Sequence, residues 1–362
     1  MSVTSAFAAL APQVLDRSGL LRSGIPERAI PAAISSGGLL RLRRGWYIDT
    51  PTWNQAEDRD RQVAAILAST RASENQRRRA PSGDPAISHR SAATLHDLPI
   101  WSRWIRAGAP SAPPELVQVS ASPTSRGNAG HSTKRHRVRL ASSDVEVVQG
   151  IRRTTLQRTL FDLARTEPFP IALACADSAL RRSSRSGYRV DTTAWKAWRR
   201  DMLDRAAQFP RGPGVRAVRA LAELAHPLAD SPLESVSRLR LLQLGIDVEP
   251  QYPVPAEDGG TLRLDFRFNG LEIFGECDGR VKYLDEDLRG GRTAGEIVFA
   301  EKLRHDWICG TTGMRGVRWG APHAATAHRL EARLRGFHVP VPGTATLAHG
   351  RDIADFLNRL PQ

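Results

Sequence analysis

The most regular hydrophobic and polar pattern in the chain lies between residues 260 and 283. Apolar and charged residues alternate over 262–268 and again over 271–278, and Asn269-Gly270 separates the two segments. Alternation is typical of strands, and Asn-Gly between two such segments is a strong hairpin signal. The pattern predicts a β-hairpin whose first strand carries four apolar side chains on one face: Leu262, Leu264, Phe266 and Phe268.

Carboxylates occupy the other face of this predicted hairpin. Glu276 and Asp278 are two residues apart on the second strand and point the same way, and Asp265 can lie beside them on the first. Carboxylates on adjacent strands repel one another unless a cation lies among them, and these hard oxygen ligands suit Mg²⁺ or Mn²⁺. The alternative is a half-buried sheet whose charged face is exposed to water.

Helices and strands are predicted on both sides of the hairpin. Ser231-Pro232-Leu233-Glu234 has the form of a capping box with proline at the first helical position, and the apolar-periodic run after it ends at Gly245. The alternative to a site role for Glu234 is this capping role alone. The other predicted elements are a strand over 248–254, a helix over 293–309, a strand over 316–319 and a helix over 324–334.

The N-terminal pattern predicts a small separate unit over residues 1–55. Two helices are predicted over 14–22 and 26–34, and Pro31 weakens the second unless it marks the first turn. Two short basic strands follow around Arg44-Gly45. Helix, helix and basic hairpin is the order of a winged helix-turn-helix domain.

A winged helix would place several arginines on DNA. Its second helix, which carries Arg28, would lie in the major groove, and Arg41, Arg43 and Arg44 would contact phosphates or the minor groove. The alternative is a helix-hairpin packing module with solvated arginines.

Composition narrows the classes of function. The 362 residues exceed one ordinary core, and 41% hydrophobic with 25% charged residues is typical of globular proteins. No apolar run reaches the ~20 residues of a membrane helix, and the N-terminus lacks the basic start of a signal peptide. Three scattered cysteines disfavour disulfides and zinc, so we expect a cytoplasmic protein without a membrane partner.

The net charge of +14 is concentrated in the first two thirds of the chain. Residues 231–362 carry 17 Lys and Arg against 18 Asp and Glu, so residues 1–230 hold a net charge of +15. Double-stranded DNA is the natural partner of such a basic region, with affinity from counterion release. The alternative, an arginine-rich coding bias, would enrich both parts of the chain.

Residues 228–322 resemble the PD-(D/E)XK nuclease fold, and more closely its branch related to very-short-patch-repair endonucleases. The order of predicted elements carries this resemblance, together with short motifs in the same order. The matching residues are Ser231-Pro232-Leu233-Glu234-Ser235, Arg238, Gln251, Pro253, Arg263, Asp265-Phe266, Glu276-Cys277-Asp278-Gly279, Lys282-Tyr283, Glu301-Lys302, Arg304 and Arg318.

The resemblance implies metal-dependent hydrolysis of a phosphodiester. Asp265 and Glu276 would hold Mg²⁺ or Mn²⁺, with Glu234 at or near the site, and the metal would activate a water and offset the charge on the phosphate. The family normally has a lysine two residues after the second acid, where this chain has Asp278. This departure puts catalysis in question.

Two lysines could replace the missing one. Lys282 follows the hairpin, and Lys302 lies on the next predicted helix. The alternatives are a solvated loop charge for Lys282 and a surface ion pair with Asp306, four residues on, for Lys302.

Residues 5–55 and 86–182 resemble AbiEi-type antitoxins, through Gly45-Trp46-Tyr47 after the basic strand and the stretch from Ser88 to Pro99. In that family the winged helix binds operator DNA, and the next domain helps to neutralise a toxin. Ser88, His89 and His96 also suggest a nucleophilic site. The sequence places no acid partner for them, so a helix cap with packing is the preferred interpretation.

The expected fold class is a multidomain α+β protein. Its predicted parts are a winged helix over 1–55, a polar linker over 71–85, a helical and mixed middle domain over 86–182, a basic helical connector over 183–227, an α/β restriction-endonuclease-like domain over 228–338 and a tail with a short helix over 339–362.

Three functions are compatible with these patterns. A DNA-binding, metal-dependent endonuclease is favoured by the clustered carboxylates. A DNA-binding repressor with a non-catalytic nuclease fold is favoured by Asp278 in the lysine position. A protein that neutralises a toxin encoded nearby is the third, and it rests on the antitoxin resemblance.

Overall fold

The computed structural model describes residues 3–77, 85–102, 116–122, 132–277 and 293–361. The predicted α+β class is confirmed, because helices combine with several separate sheets. The chain divides into two compact units: residues 1–101 with 109–166, and residues 102–108 with 167–362. Within the described ranges, no helix combines the length and apolar character needed to cross a membrane.

The first unit alternates short helices and strands. Its helices are α1 (Val3–Leu10), α2 (Arg17–Arg22), α3 (Ile30–Ser35), α4 (Thr50–Gln55), α5 (Asp58–Arg77), α6 (His89–Leu95) and α7 (Leu156–Thr166). Its strands are β1 (Leu15–Asp16), β2 (Leu39–Arg43), β3 (Trp46–Asp49), β4 (Ala86–Ile87), β5 (Val117–Ala121), β6 (Thr133–Arg137), β7 (Val145–Val148) and β8 (Ile151–Thr154).

Two sheets organise the first unit. A three-stranded sheet has the order β1-β3-β2, and a five-stranded sheet has the order β6-β5-β4-β8-β7. Helix α5 contributes to both cores, because Val63 packs with Ile48 of the small sheet while Ile66 packs with Val119 of the large one. Helix α5 therefore packs against both the basic hairpin and the five-stranded sheet.

Several N-terminal predictions need correction. The helix predicted over 14–22 begins only at Arg17, because Leu15 and Asp16 pair with β3 as a short strand. Helix α1 was not predicted. Pro31 does lie in the first turn of α3, and the two basic strands are confirmed. The linker predicted over 71–85 is wrong in its first part, since α5 continues to Arg77.

The second unit begins with helices and ends with a mixed domain. Its helices are α8 (Phe169–Ser183), α9 (Thr192–Ala207), α10 (Val215–Leu224), α11 (Pro232–Gln243), α12 (Ala294–Thr312), α13 (Ala321–Ala324), α14 (Ala327–Gly336) and α15 (Arg351–Asn358). Its strands are β9 (Arg185–Ser186), β10 (Arg189–Val190), β11 (Val248–Pro255), β12 (Thr261–Phe268), β13 (Ile273–Cys277) and β14 (Arg315–Trp319). The predicted hairpin, the strands beside it and the helices beside it are therefore confirmed, with shifts of a few residues at their ends.

A four-stranded sheet of order β11-β12-β13-β14 positions the candidate site. Neighbouring strands run antiparallel except β13 and β14, which are parallel, as expected when a helix connects them. On one face, Phe274 packs with Ile308 of α12. On the other face, Trp319 donates a hydrogen bond from Nε1 to the hydroxyl of Ser237 on α11 at 2.9 Å.

Candidate active site

Glu234 is a buried carboxylate in the first turn of α11, with 7% of its surface exposed. The predicted helix cap is confirmed, because the Ser231 hydroxyl accepts a hydrogen bond from the Glu234 N–H at 3.1 Å. The carboxylate does not complete a capping box. Its Oε2 instead accepts hydrogen bonds from the Asp230 N–H at 2.8 Å and from Nε2 of Gln251 on β11 at 2.9 Å. Glu234 therefore links the helix start to the sheet.

Gln251 has an unusual backbone where it meets Glu234. Its φ of 54° lies in the left-handed region, which is uncommon for a residue with a side chain and costs about 1–3 kcal/mol. Its two neighbours, Pro250 and Tyr252, pair normally with β12. The Gln251 carbonyl accepts a hydrogen bond from Arg263 at 2.9 Å. Contacts on both sides thus hold the residue in this conformation.

The neighbouring strand β12 changes its facing at Asp265. Leu264 packs with Phe274 in the core beneath α12, whereas Phe266 stacks against Trp319, with ring centroids 6.0 Å apart, on the other face. In a regular strand these two residues would point the same way. The prediction of one continuous apolar face is therefore wrong at this point. Asp265 lies at the change of facing, level with the strained Gln251.

Cys277 connects Asp265 to α11. The Cys277 N–H donates a hydrogen bond to Oδ2 of Asp265 at 2.8 Å. The Cys277 thiol is also hydrogen-bonded to the Asp265 carboxylate and to Ser237. A buried thiol between a carboxylate and a hydroxyl is a packing and orienting group. Cys277 consequently fixes the orientation of Asp265.

The charges of Glu234 and Asp265 interact with each other. Burial, followed by the negative charge of Asp265, raises the pKa of Glu234 from 4.5 to about 7. The same two carboxylates, after burial itself, raise the pKa of the Cys277 thiol well above its usual range. A carboxylate whose pKa is raised by a like charge is expected to favour a bound cation.

Glu276, the third predicted carboxylate, has a different environment. It is 5% exposed, and Arg304 of α12 and Arg318 of β14 both form ion pairs with it, the latter at 2.8 Å. Glu301 also binds both arginines and lies 3.1 Å from Arg304. The structure therefore separates the three acids: Glu234 and Asp265 repel each other, and Glu276 is neutralised.

The remaining predicted catalytic residues fall in different places. Asp278 and Lys282 lie outside the described residues. Lys302 is exposed on α12. The predicted surface ion pair with Asp306 is not formed, since neither residue has a salt bridge within the described part of the chain.

The described carboxylates meet part of the requirements of a divalent cation. Among the described residues, no three or more His, Cys, Asp or Glu side chains are grouped to hold a metal. Glu234 and Asp265 still supply two facing carboxylates. Two are sufficient for Mg²⁺, which commonly keeps several waters and binds through one or two carboxylates with substrate phosphates. Glu276 does not fit as a ligand while both arginines occupy it.

The predicted DNA-binding arginines differ in their exposure to solvent. Arg28, Arg41 and Arg44 are exposed. Arg43 points inward, where Nη1 donates hydrogen bonds to the carbonyl of Ser69 at 3.2 Å and to its hydroxyl at 3.0 Å. Burial lowers the pKa of Arg43. Its contact with α5 indicates that it holds the hairpin in place, whereas the other three arginines are accessible to a ligand.

Ser88 and His89 form a buried pair in the first unit. Ser88 occupies the N-cap position of α6, but its hydroxyl makes no capping hydrogen bond and lies 2.9 Å from Nδ1 of His89. The His89 ring stacks on His136 at 3.5 Å, and burial holds its pKa well below the usual value. His96 donates to the Thr154 carbonyl at 2.8 Å. Among the described residues no carboxylate is bonded to His89, so a Ser-His-acid arrangement is not formed here.

Sequence reasoning identified the acids but not their partners. The motif match contained Gln251, Arg304 and Arg318 without giving them roles. Their contacts depend on which strand residue faces which helix, and the change of facing at Asp265 was not visible in the alternating pattern. Comparisons of the chain with protein-family models, with curated proteins and with solved structures gave no match.

Proposed function

We propose that this protein binds double-stranded DNA and hydrolyses phosphodiester bonds with the help of Mg²⁺ or Mn²⁺. The observation that carries the proposal is the facing pair of Glu234 and Asp265, held together by Gln251 and Cys277. A fold that needs only stability gains nothing from a buried carboxylate, Glu234, that is repelled by the half-buried carboxylate of Asp265. Functional sites commonly contain such perturbed groups.

Glu234 and Asp265 would hold the divalent ion. When bound, the ion activates a water as the nucleophile and offsets the charge that develops on the phosphate. Gln251 and the Asp230 N–H orient Glu234 through its Oε2. Cys277 orients Asp265 in the same way. These three groups therefore fix both carboxylates before substrate binds.

Two arginines of the network around Glu276, Arg304 and Arg318, would lie beside the site. Arg304 also donates from Nη2 to the Arg263 carbonyl at 2.7 Å, so it lies against the strand that carries Asp265. Arginine binds phosphate oxygens well, and a pair of arginines can contribute the charge for which the family uses a lysine. Lys302 and Lys282 remain candidates for that lysine role, and Asp278 remains the residue at the usual lysine position.

The order of helices and strands supports the assignment of a nuclease-like domain and a winged helix. The order α11, β11, β12, β13, α12, β14 is the order on which the resemblance to PD-(D/E)XK nucleases rests. In the first unit, α2, α3 and the β2–β3 hairpin support a winged helix over residues 1–55. We assign residues 86–182 to the antitoxin-like middle domain and residues 228–338 to the nuclease-like domain. The basic N-terminal region would grip the DNA that the almost neutral C-terminal region cuts.

A cleavage assay tests the activity. Purified protein is incubated with plasmid and with linear duplex DNA in Mg²⁺, Mn²⁺ or EDTA, beside the Asp265→Asn and Asp265→Ala variants. We expect metal-dependent cutting that falls about 10²–10³-fold in both variants, because they lose a metal ligand worth several kcal/mol. Gel shifts should show unchanged DNA binding. Cutting that persists in both variants would refute the assignment.

A salt titration tests whether the N-terminal arginines contact the DNA. Replacing both Arg41 and Arg44 with alanine should weaken binding to all sequences and reduce the slope of log K against log salt by about 1.8. Arg43→Ala is the matched control, because Arg43 contacts Ser69 and should leave that slope unchanged. An unaltered slope in the double variant would exclude these two arginines from the interface.

A non-catalytic DNA-binding regulator is the second candidate. The observation that favours it is the pairing of Glu276 with two arginines, which takes one predicted ligand away from a metal. This candidate predicts salt-sensitive DNA binding without cutting in either metal. Metal-dependent cutting lost in Asp265→Asn would exclude it.

A further inference from the structure

A cavity of about 430 Å³ lies beside the Glu276 network. Helix α12 contributes Lys302 and His305 to its wall, strand β14 contributes Arg318, and α14 with the residue after it contributes Arg333 and Phe337. The volume is within the range of sites for small organic ligands. The catalytic proposal assigns no ligand to this cavity.

The cavity has a surplus of positive charge. Its three cations face one carboxylate, Glu301, and that carboxylate already binds Arg304 and Arg318. Lys302 is exposed and has no ion pair within the described residues. A group with negative charge is therefore the favoured occupant.

Arg333 is oriented for recognition. Its Nε donates to the Arg318 carbonyl at 3.0 Å, and its guanidinium lies 4.5 Å from the centroid of the Phe337 ring. The two terminal nitrogens of Arg333 make no hydrogen bond to any described residue. A guanidinium held through Nε with free terminal nitrogens is arranged for bidentate contact with an anion such as phosphate.

His305 adds an unused polar atom to the same wall. Its Nδ1 is shielded from solvent and has no hydrogen-bond partner among the described residues, whereas Nε2 lies 3.5 Å from Sγ of Cys309. The ring fits because residue 316 is glycine: a Cβ there would lie 2.5 Å from Cε1 of His305. An unpaired buried polar atom is costly, so a small turn of the ring that brings Nδ1 to a hydrogen-bonding ligand would favour binding.

We propose that this cavity binds a phosphorylated nucleotide. Lys302, Arg333 and His305 would hold the phosphate, and the Phe337–Arg333 stack would lie against the base, as aromatic and guanidinium planes do in other nucleotide sites. The nucleotide can be free or can be the 5′-phosphorylated end of a DNA strand. Binding of a free nucleotide does not depend on the proposed nuclease activity. Binding of a DNA end rests on that proposed function, because the end would belong to the DNA substrate.

Isothermal titration calorimetry on the full chain in EDTA tests the proposal without cleavage. We expect AMP to bind at least tenfold more tightly than adenosine, and Lys302→Met to weaken AMP at least tenfold. Arg333→Lys should also weaken AMP, because lysine cannot make the bidentate contact. Arg329→Met is the matched control, since Arg329 is an exposed arginine on the same helix outside the cavity lining. Absence of AMP binding, equal affinity for adenosine, or unchanged affinity in Lys302→Met would overturn the proposal.

A duplex pair distinguishes the two sources of phosphate. If a DNA end is the ligand, a 5′-phosphorylated duplex should bind more tightly than its 5′-hydroxyl counterpart, and Lys302→Met should remove that difference. If a free nucleotide is the ligand, the two duplexes should bind equally while AMP still binds. The Asp265→Asn variant should bind AMP as the wild type does, so failure of the nuclease proposal and failure of the cavity proposal give different results.

Discussion

Two groups of buried charge lie on the same four-stranded sheet and differ in how they are balanced. Around Glu276, two arginines and a second glutamate form a network of equal positive and negative charge. Around Glu234, the charged neighbours that act on its pKa are two further carboxylates, first Asp265 and then Asp230, and the hydrogen bonds to it come from neutral groups. One carboxyl is therefore stabilised in its charged form and the other is not.

This difference in charge balance suggests different roles: the Glu276 network stabilises the fold, and the Glu234–Asp265 pair is suited to bind a reacting ligand. A neutralised network resists change, because removing one member leaves a buried charge without its partner. An unbalanced pair of carboxylates destabilises the folded chain until a proton or a cation binds. The local backbone agrees, since the strained φ of Gln251 and the change of facing at Asp265 both occur at the unbalanced pair.

The largest predicted effect comes from breaking the balanced network. Arg304→Met should lower the free energy of unfolding by about 3 kcal/mol, the lower end for a broken buried ion pair, because Arg318 still contacts Glu276. Hydrogen exchange of the amides over residues 273–277 should report the loss as faster local opening. Calorimetry of the whole chain provides the second measurement.

Two comparisons make this prediction specific. Arg335→Ala removes an ion pair with Glu331 at an arginine whose side chain is 55% exposed, so it should change stability by only a few tenths of a kcal/mol. Combining Arg304→Met with Glu276→Met should recover part of the loss, since the unpaired charge is also removed. A single variant as stable as the wild type would mean that the network does not stabilise the sheet.

A similar effect of opposite sign is predicted at the unbalanced pair. Because the pKa of Glu234 is raised on folding from 4.5 to about 7, the folded chain binds this proton more tightly than the unfolded chain. The resulting stabilisation is complete below pH 4.5 and is lost as the pH rises through about 7. Glu234→Gln should abolish this dependence and raise stability at pH 8 by up to about 3 kcal/mol.

Urea unfolding at a series of pH values checks this prediction. The relevant quantity is the difference between Glu234→Gln and the wild type, because Asp162 in the first unit also has a raised pKa, of about 6. Asp265→Asn should lower the pKa of Glu234 and move the wild-type profile to lower pH. A difference that does not vary between pH 4.5 and 8 would exclude the charge on Glu234 as the cause.

The sequence predicts the features of these two groups that depend on local contacts, and it does not predict those that depend on contacts between distant segments. The Asn269-Gly270 turn, the Ser231 cap and the alternation of β12 are local signals, and the structure confirms the hairpin and the helix start. The alternation failed at Asp265, because the packing of Leu264 under α12 and of Phe266 on Trp319 outweighed the regular pleat. Tertiary packing of this kind leaves no local pattern.

The arginine partners of Glu276 could not be predicted from local sequence either. Arg304 lies 28 positions from Glu276 along the chain, and Arg318 lies beside it only through the parallel pairing of β13 and β14. An arginine in a helix gives no sign of which carboxylate it will meet. The nearness of Glu234 to Asp265 was therefore predictable, whereas the neutralisation of Glu276 was not.

A smaller effect should follow from adding a divalent cation. Ten millimolar Mg²⁺ at pH 8 should stabilise the wild type by about 1–2 kcal/mol if it exceeds the dissociation constant roughly tenfold, because it binds the folded state alone. Glu234→Gln and Asp265→Asn should lose that response. Arg304→Met should keep it, since the balanced network is not proposed to hold the ion. Sodium chloride at equal ionic strength controls for screening, and an equal Mg²⁺ response in all four proteins would show that the ion does not bind at the facing carboxylates.

The smallest predicted effect isolates the backbone at Gln251. Gln251→Gly and Gln251→Ala both remove the hydrogen bond to Glu234, but only glycine adopts a φ of 54° without strain. The glycine variant should therefore be more stable than the alanine variant by about 1 kcal/mol. In both variants the pKa of Glu234 should rise further, since the charged carboxylate loses a donor, and the pH profile of unfolding should move upward by the same amount. Equal stability of the two variants would show that the sheet relaxes at this position, and the backbone there would then store no strain for the site to use.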